Sequence, residues 1–348
     1  MTRSNYRRLS ARSALLVGAL VVTGCSGDDD QDAAPSPTES EPAAEVTTPE
    51  PEPEPEPTPE PVWPLTGLPA PDGIADRPVV VVKVDNTGNA RPQLGLAEAD
   101  IIVEEPVEGG LTRLAAMYHA TLPDHVVPVR SIRTTDVGLV GPTGGLLVAS
   151  GGASRVLAQM DYAGIPVLTE GTEGFSRDPA RPSLYSVTVD LAEALSAAPD
   201  LAAPPIPYLD WGDERASGQS VSQVAVQFSG SHTTTHTWSG QAWLRDGGRA
   251  AEGQEFAAAN MLILHVTTRD AGYTDPGGNP VDEVVFEDGG EALLLAADRA
   301  TEANWTWHAS GADAVFMLTT TAGERIAAAP GKTWIALVPE RGAVTTTE

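Results

Sequence analysis

Between Asp85 and Asp136 the sequence gathers acids, amides and arginines more densely than anywhere else in the chain. Arginine presents a planar fork that grips a carboxylate or phosphate through two parallel hydrogen bonds. Arg91, Arg113, Arg130 and Arg133, together with Asp85, Asn86 and Glu108, are therefore the candidate ligand-binding set. A second chemistry is open to the same stretch. Glycoside cleavage needs two carboxylates about 5–9.5 Å apart, and Glu104 and Glu108 could share a face, with Glu98 and Asp100 as other candidates. Against both stands a purely structural account, in which the arginines pair with the neighbouring acids and satisfy a polar interior.

Other motifs exclude more than they offer. His232 and His236 fall in a stretch that reads as strand, where a four-residue offset spans about 13 Å, too far for one zinc ion; they are expected at the surface or a sheet edge. Gly141 to Gly145 and Gly151-Gly152 lack the Gly-Lys-Ser/Thr of a phosphate loop. Five tryptophans, Trp238, Trp243, Trp305, Trp307 and Trp334, could line a sugar-binding face or pack a core. No metal site and no cofactor is expected.

These groups need elements to position them. VVVVKVDN (Val79 to Asn86) and DIIVEEPV (Asp100 to Val107) are buried-strand signals ended by turn residues. LTRLAAMYHA (Leu111 to Ala120) fits strand or helix. Helices are expected at Ser131 to Val140, Ser154 to Tyr162 and Asp190 to Ala198, the last capped by Thr188 or Asp190, with Gly144 to Gly152 as a strand. After Pro204-Pro205 the pattern turns to strands: Val221 to Ser229, Thr235 to Gly247, Asn260 to Thr268, Asp282 to Gly289, Glu291 to Arg299, Ala314 to Thr320 and Lys332 to Pro339. The expectation is an α+β chain: a mixed α/β layered domain over residues 63–205, then a mainly β domain over 206–348, compact and antiparallel.

What precedes residue 63 speaks of location. Arg3, Arg7, Arg8 and Arg12 lead into the apolar run Ala14 to Val22 and then Thr23-Gly24-Cys25. That run is too short to span a bilayer and reads as a signal peptide over residues 1–25, with Cys25 as the lipidation site. Two or more acyl chains on one residue suffice for stable anchoring. Residues 26–62 hold twelve acids, no Lys or Arg, and the Pro-Glu block Pro51 to Pro61, the composition of an extended, disordered stalk. The net charge is −27. With the stalk and the basic leader set aside the remainder still carries a large negative charge, which argues against nucleic acid. Cys25 is the only cysteine, so no internal disulfide or thiolate metal site can form.

WPLTGLP (Trp63 to Pro69), DNTGNARPQLGLAEADIIVEEPVEGGLTR (Asp85 to Arg113), PVRSIRTTD (Pro128 to Asp136) and SGGAS (Ser150 to Ser154) resemble the YerB-like lipoproteins, a two-domain family of unknown function. FSRDPARPSLYS (Phe175 to Ser186) is similar to the end of its first domain. AANMLILHVT (Ala258 to Thr267), WTW (Trp305 to Trp307) and PGKTWIALVP (Pro330 to Pro339) are similar to its C-terminal domain. The resemblance implies a lipoprotein and brings no activity with it. Relatives commonly carry a His before the Gly-Gly pair and a Pro-His-Asn in the later loop, where this chain has Ser150 and Ser183-Leu184, which lowers the expectation of catalysis. The leading expectation is a lipid-anchored protein on the outer face of the membrane that binds an envelope ligand or partner. An envelope glycan hydrolase or lyase and a transporter substrate-binding subunit are the alternatives.

Overall fold

The structure, a computed structural model, describes residues 60–198, 201, 206–212, 218–310 and 313–348. Cys25, the stalk up to Pro59 and the boundary expected near residue 205 lie outside the described residues.

The first β signals behave as their composition demands. β1 (Val80–Asp85), β2 (Ile101–Pro106) and β3 (Thr112–Tyr118) are buried along their whole length, as strands covered on both faces must be. The ambiguous LTRLAAMYHA segment is strand β3 because it pairs antiparallel with both β1 and β2. β4 (Leu146–Ala149) and β5 (Val167–Thr169) continue this sheet in parallel. Of the helix expected from Ser131, only α1 (Asp136–Val140) forms. The preceding residues are turn and loop, closed by the Asp136 carboxylate, which accepts the Arg133 backbone N–H at 2.7 Å; aspartate closing on nearby backbone competes with helix in this way. α2 (Ser154–Tyr162) forms as expected. A small ribbon, β6 (Phe175–Arg177) with β7 (Val187–Val189), leads to α3 (Leu191–Ser196), whose N-terminus is capped by Asp190 through the Glu193 N–H at 2.9 Å.

The later residues are mainly β. β8 (Gln219–Ser220), β9 (Gln223–Gln227), β10 (Thr233–Trp238), β11 (Trp243–Arg245), β12 (Asn260–Thr274), β13 (Pro280–Val285), β14 (Gly290–Ala296), β15 (Arg299–Trp307), β16 (Phe316–Thr319), β17 (Arg325–Ile326), β18 (Thr333–Pro339) and β19 (Ala343–Thr347) follow. The unit is not wholly antiparallel. β18 runs parallel to β12 on one side and to β2 on the other. One continuous sheet results, in the order β17-β16-β15-β14-β12-β18-β2-β3-β1-β4-β5, with β8 and β13 joined off that path.

One face of this sheet is covered by α1 and α2, burying Leu139, Val140, Val156 and Met160 against Val81, Val103 and Met117. The other is covered by α3 and by the four-stranded sheet β11-β10-β9-β19. Trp243, Trp305 and Trp334 are fully buried in these layers. Apolar side chains on both faces give the large sheet its two cores, and the polar groups on β1–β3 must find partners inside one or the other.

Candidate functional site

Strand alternation divides the Asp85–Asp136 cluster. Lys83 and Asp85 of β1, Glu105 of β2 and Arg113 of β3 point to the helical side, with Asp85 and Glu105 flanking Arg113 in register. Asn86, Glu104 and Thr112 point to the small-sheet side, where they bond one another. Neighbours in sequence thus serve different layers.

On the helical side, the Lys83 ammonium contacts the Glu105 carboxylate and lies 2.7 Å from Asp136 Oδ1, all three with no exposure. Burial, then the charge of Asp136, pushes Glu105 up to about 7. Nearer the strand ends, the Glu108 carboxylate accepts from Arg133 Nε at 2.6 Å, contacts a second Arg133 nitrogen, and meets Arg113 Nη2 at 3.3 Å. Burial would raise Glu108, but the hydrogen bonds from Arg133 and the charge of Arg113 outweigh it and hold it below the usual carboxylate range. Arg113 donates to the Ser131 carbonyl at 2.6 Å and is lowered to about 10, by burial first and then by Arg133. Arg130 Nε is 2.7 Å from Asp85 Oδ2, and Asp85 Oδ1 accepts from the N–H and hydroxyl of Thr87. Asp85, Glu108, Arg113, Arg130 and Arg133 are therefore gathered together and paired with one another.

On the other side Glu104 is fully buried. Its Oε1 accepts from Asn86 at 2.8 Å, Thr112 at 2.8 Å and Thr234 at 2.7 Å, with His232 Nε2 at 3.3 Å. Burial raises its pKa, but His232 and the hydroxyls more than offset this and lower it. Glu104 and Glu108 share no hydrogen-bond partner and serve opposite sides of the large sheet. Asp100, another of the candidate carboxylates, accepts the N–H groups of His119 and Ala120. His232 and His236 are buried rather than superficial, because β10 lays this face against the large sheet. His236 packs edge-on to Trp334 at 4.7 Å, and burial lowers it to about 3. Both of its ring nitrogens, and Glu104 Oε2, have no hydrogen-bond partner among the described residues. No group of three His, Cys, Asp or Glu among the described residues could hold a metal ion.

Arg91 does not join the other three arginines. It lies beside Gly247, in the turn that carries Arg245 and Arg249. Arg245, cross-strand from His236, donates to Asn86 Oδ1 at 2.8 Å, contacts Gln93 Oε1, and stacks over Trp334 at 5.1 Å. Arg249 donates to the Asn86 carbonyl at 2.7 Å. Burial, and then the charges of Arg249 and Arg91 against that of Glu104, lower Arg245 to about 9. Among the described residues no ion pair involves Arg91, Arg245 or Arg249. Arg245 and Arg249 were missing from the sequence set; their signal is Arg-Asp-Gly-Gly-Arg, two cations about one turn in an acidic chain.

Residues 65–203 match the N-terminal domain, and residues 224–335 the C-terminal domain, of the protein family of unknown function DUF3048. YerB of Bacillus subtilis (strain 168), whose name assigns it as a lipoprotein, is 26% identical over 300 residues, covering 80% of this chain and 86% of that protein. The crystal structure of Bacillus subtilis YerB superposes with a TM-score of 0.70 at 24% identity, over 82% of this chain and 100% of the other, and so shares its fold. The chain belongs to this two-domain, YerB-like family.

Proposed function

We propose that the protein is a lipid-anchored receptor on the outer face of the membrane that binds an anionic ligand through Arg91, Arg245 and Arg249. One observation carries this reading: among the described residues the hydrogen-bond partners of Arg245 and Arg249 are amide and carbonyl oxygens alone, and the charge of Arg91 acts on both. Among the described residues Glu104 is the one carboxylate whose charge acts on Arg245 and Arg249, so the site keeps an excess of positive charge in a protein of net charge −27. A partly desolvated arginine fork bound to neutral oxygens retains full capacity for a carboxylate or phosphate. Arg91 is exposed and gives the ligand access. The anchor rests on Cys25 and on the likeness to YerB.

The geometry favours binding over hydrolysis. Glu104 and Glu108 are both held ionised, so neither is poised as a general acid, and Glu105, the carboxyl that holds a proton near neutrality, is sealed behind Lys83 and Asp136. Among the described residues a single shared sheet also offers no pair of hinged α/β lobes of the kind a transporter receptor closes around its ligand.

The test is calorimetric titration of the full chain with pyrophosphate and with citrate. Binding that weakens at least tenfold in Arg245→Gln/Arg249→Gln, and that falls with added salt, is the expected outcome. Absence of binding by either anion, or equal affinity in the double variant, would refute the assignment.

A further inference from the structure

A concavity lies on the helical side of the large sheet, opposite the arginine patch, between α1, α2 and the β12–β13 hairpin. Its volume is about 540 Å³, within the range of small-molecule sites. The floor is aromatic. Phe286 and Trp307 stack with centroids 5.8 Å apart and planes 25° from parallel. Trp307 is fixed by donating its indole N–H to the Gly138 carbonyl at 3.2 Å. Gly138 allows this seating, because a Cβ there would come 2.4 Å from the Phe286 ring. The hairpin is pinned to α1 by the Val284 N–H, which donates to Thr135 Oγ1 at 3.1 Å.

The rims are polar and acceptor-rich. Gln159 lines the groove, and its Oε1 has no hydrogen-bond partner among the described residues. Glu287 and Glu283 line the far side, where Glu283 is already engaged by Arg269. Tyr162, the last residue of α2, stands at the rim 95% exposed, an aromatic ring that the fold does not use for packing.

We propose that this groove binds a neutral pyranose glycan. The occupant follows from the lining. Arg269, which also lines the groove, is neutralised by Glu283, so Glu287 and the unpartnered Gln159 oxygen leave the lining acidic and acceptor-rich, which repels anions and suits a ligand whose periphery is hydroxyl donors. Aromatic faces suit the C–H face of a sugar ring, since the π cloud attracts positively polarised hydrogens. A compact quaternary cation needs rings on several sides, whereas here Trp307 and Phe286 are stacked in one layer and only Tyr162 stands apart. The inference is independent of the arginine site, which lies on the other face of the sheet.

The experiment is ligand-observed NMR and calorimetry on the full chain with cellotetraose and chitotetraose, and with tetramethylammonium as the cationic probe. Either tetrasaccharide is expected to bind, with affinity about three- to tenfold lower in Tyr162→Ala and lost in Trp307→Ala. Tyr162→Ala removes only exposed atoms, so it remains informative if Trp307→Ala fails to fold. Arg245→Gln/Arg249→Gln should leave tetrasaccharide binding unchanged. Binding of neither sugar, equal binding by Tyr162→Ala, or saturation by tetramethylammonium in place of sugar would overturn the proposal.

Discussion

Glu104 and Glu105 are adjacent in sequence and opposite in chemistry. Glu104 is held ionised by four donors, whereas Glu105 shares one ammonium with Asp136 in a site closed to water. One positive charge between two carboxylates leaves a negative charge unbalanced, and a retained proton on Glu105 removes it. Its folded value of about 7 lies above the roughly 4.3 of an unfolded glutamate. The folded state therefore binds this proton more tightly, and the stabilisation it brings is complete below the unfolded value and lost as pH rises through about 7. Glu105→Gln mimics the protonated acid at every pH. Relative to wild type, it should gain stability between pH 5 and pH 8, by on the order of 2–3 kcal/mol, measured by urea unfolding at each pH. A difference that stays flat with pH would show that the proton is not held there. The residue types of the site were legible in the sequence, but their grouping was not. Strand alternation sends Asp85 and Asn86 to opposite layers, and only the register of β1–β3 shows which arginine meets which acid. Arg91 was grouped with its sequence neighbours, while its companions come from a turn more than 150 residues away.

At the scale of elements, β1, β2 and β18 are the plainest strands to read, because burial on both faces gives each a run of consecutive apolar residues, even though Lys83, Asp85, Glu104 and Glu105 sit among them. Strand β15 carries no such signal: RATEANWTW alternates small and polar residues with Trp, and pairing with β14, β16 and β8 makes it a strand. The helix expected from Ser131 fails in its first half for a tertiary reason. Arg133 is drawn to Glu108, and its N–H is taken by Asp136. What remains, α1, is a short helix seated on aromatic rings, and its glycine is the sensitive point. Gly138→Ala would improve helix propensity by up to about 1 kcal/mol, yet its methyl would overlap the Phe286 ring, at a cost of roughly 1–3 kcal/mol for an overpacked site. The overlap is direct and Phe286 is itself held by Trp307 and Phe316, so the variant should be less stable than wild type. Thermal denaturation decides it, and a raised melting temperature would mean that the Phe286–Trp307 stack yields freely.

The whole molecule sets the two matched domains within one hydrogen-bonded sheet. β18, almost at the C-terminus, lies between β12 and β2, with Thr333 to Ala336 in parallel register against Ile101 to Glu104. Long-range parallel pairing of this kind carries no local sequence signal, which is why KTWIALVP is readable as a strand and not as the seam of the molecule. The consequence can be tested by dividing the chain near residue 205. Residues 63–205 alone would expose the edge of β2, whose Ile101 and Val103 are fully buried in the intact protein, and an uncovered apolar edge is an aggregation template. The same fragment would strip Glu104 of Thr234 and His232, two of its four partners, leaving a carboxylate on an apolar face. Residues 206–348 alone would leave β18 unpaired on one side. Each piece expressed separately should therefore be insoluble or unfolded, whereas the two expressed together should co-purify as a 1:1 complex by size-exclusion chromatography. A soluble, cooperatively folding 63–205 fragment would instead mean that β2 tolerates an open edge and that the shared sheet is a docking contact between two autonomous folding units. Since the arginine patch takes Arg91 from one piece and Arg245 and Arg249 from the other, anion binding should appear only in the reassembled complex.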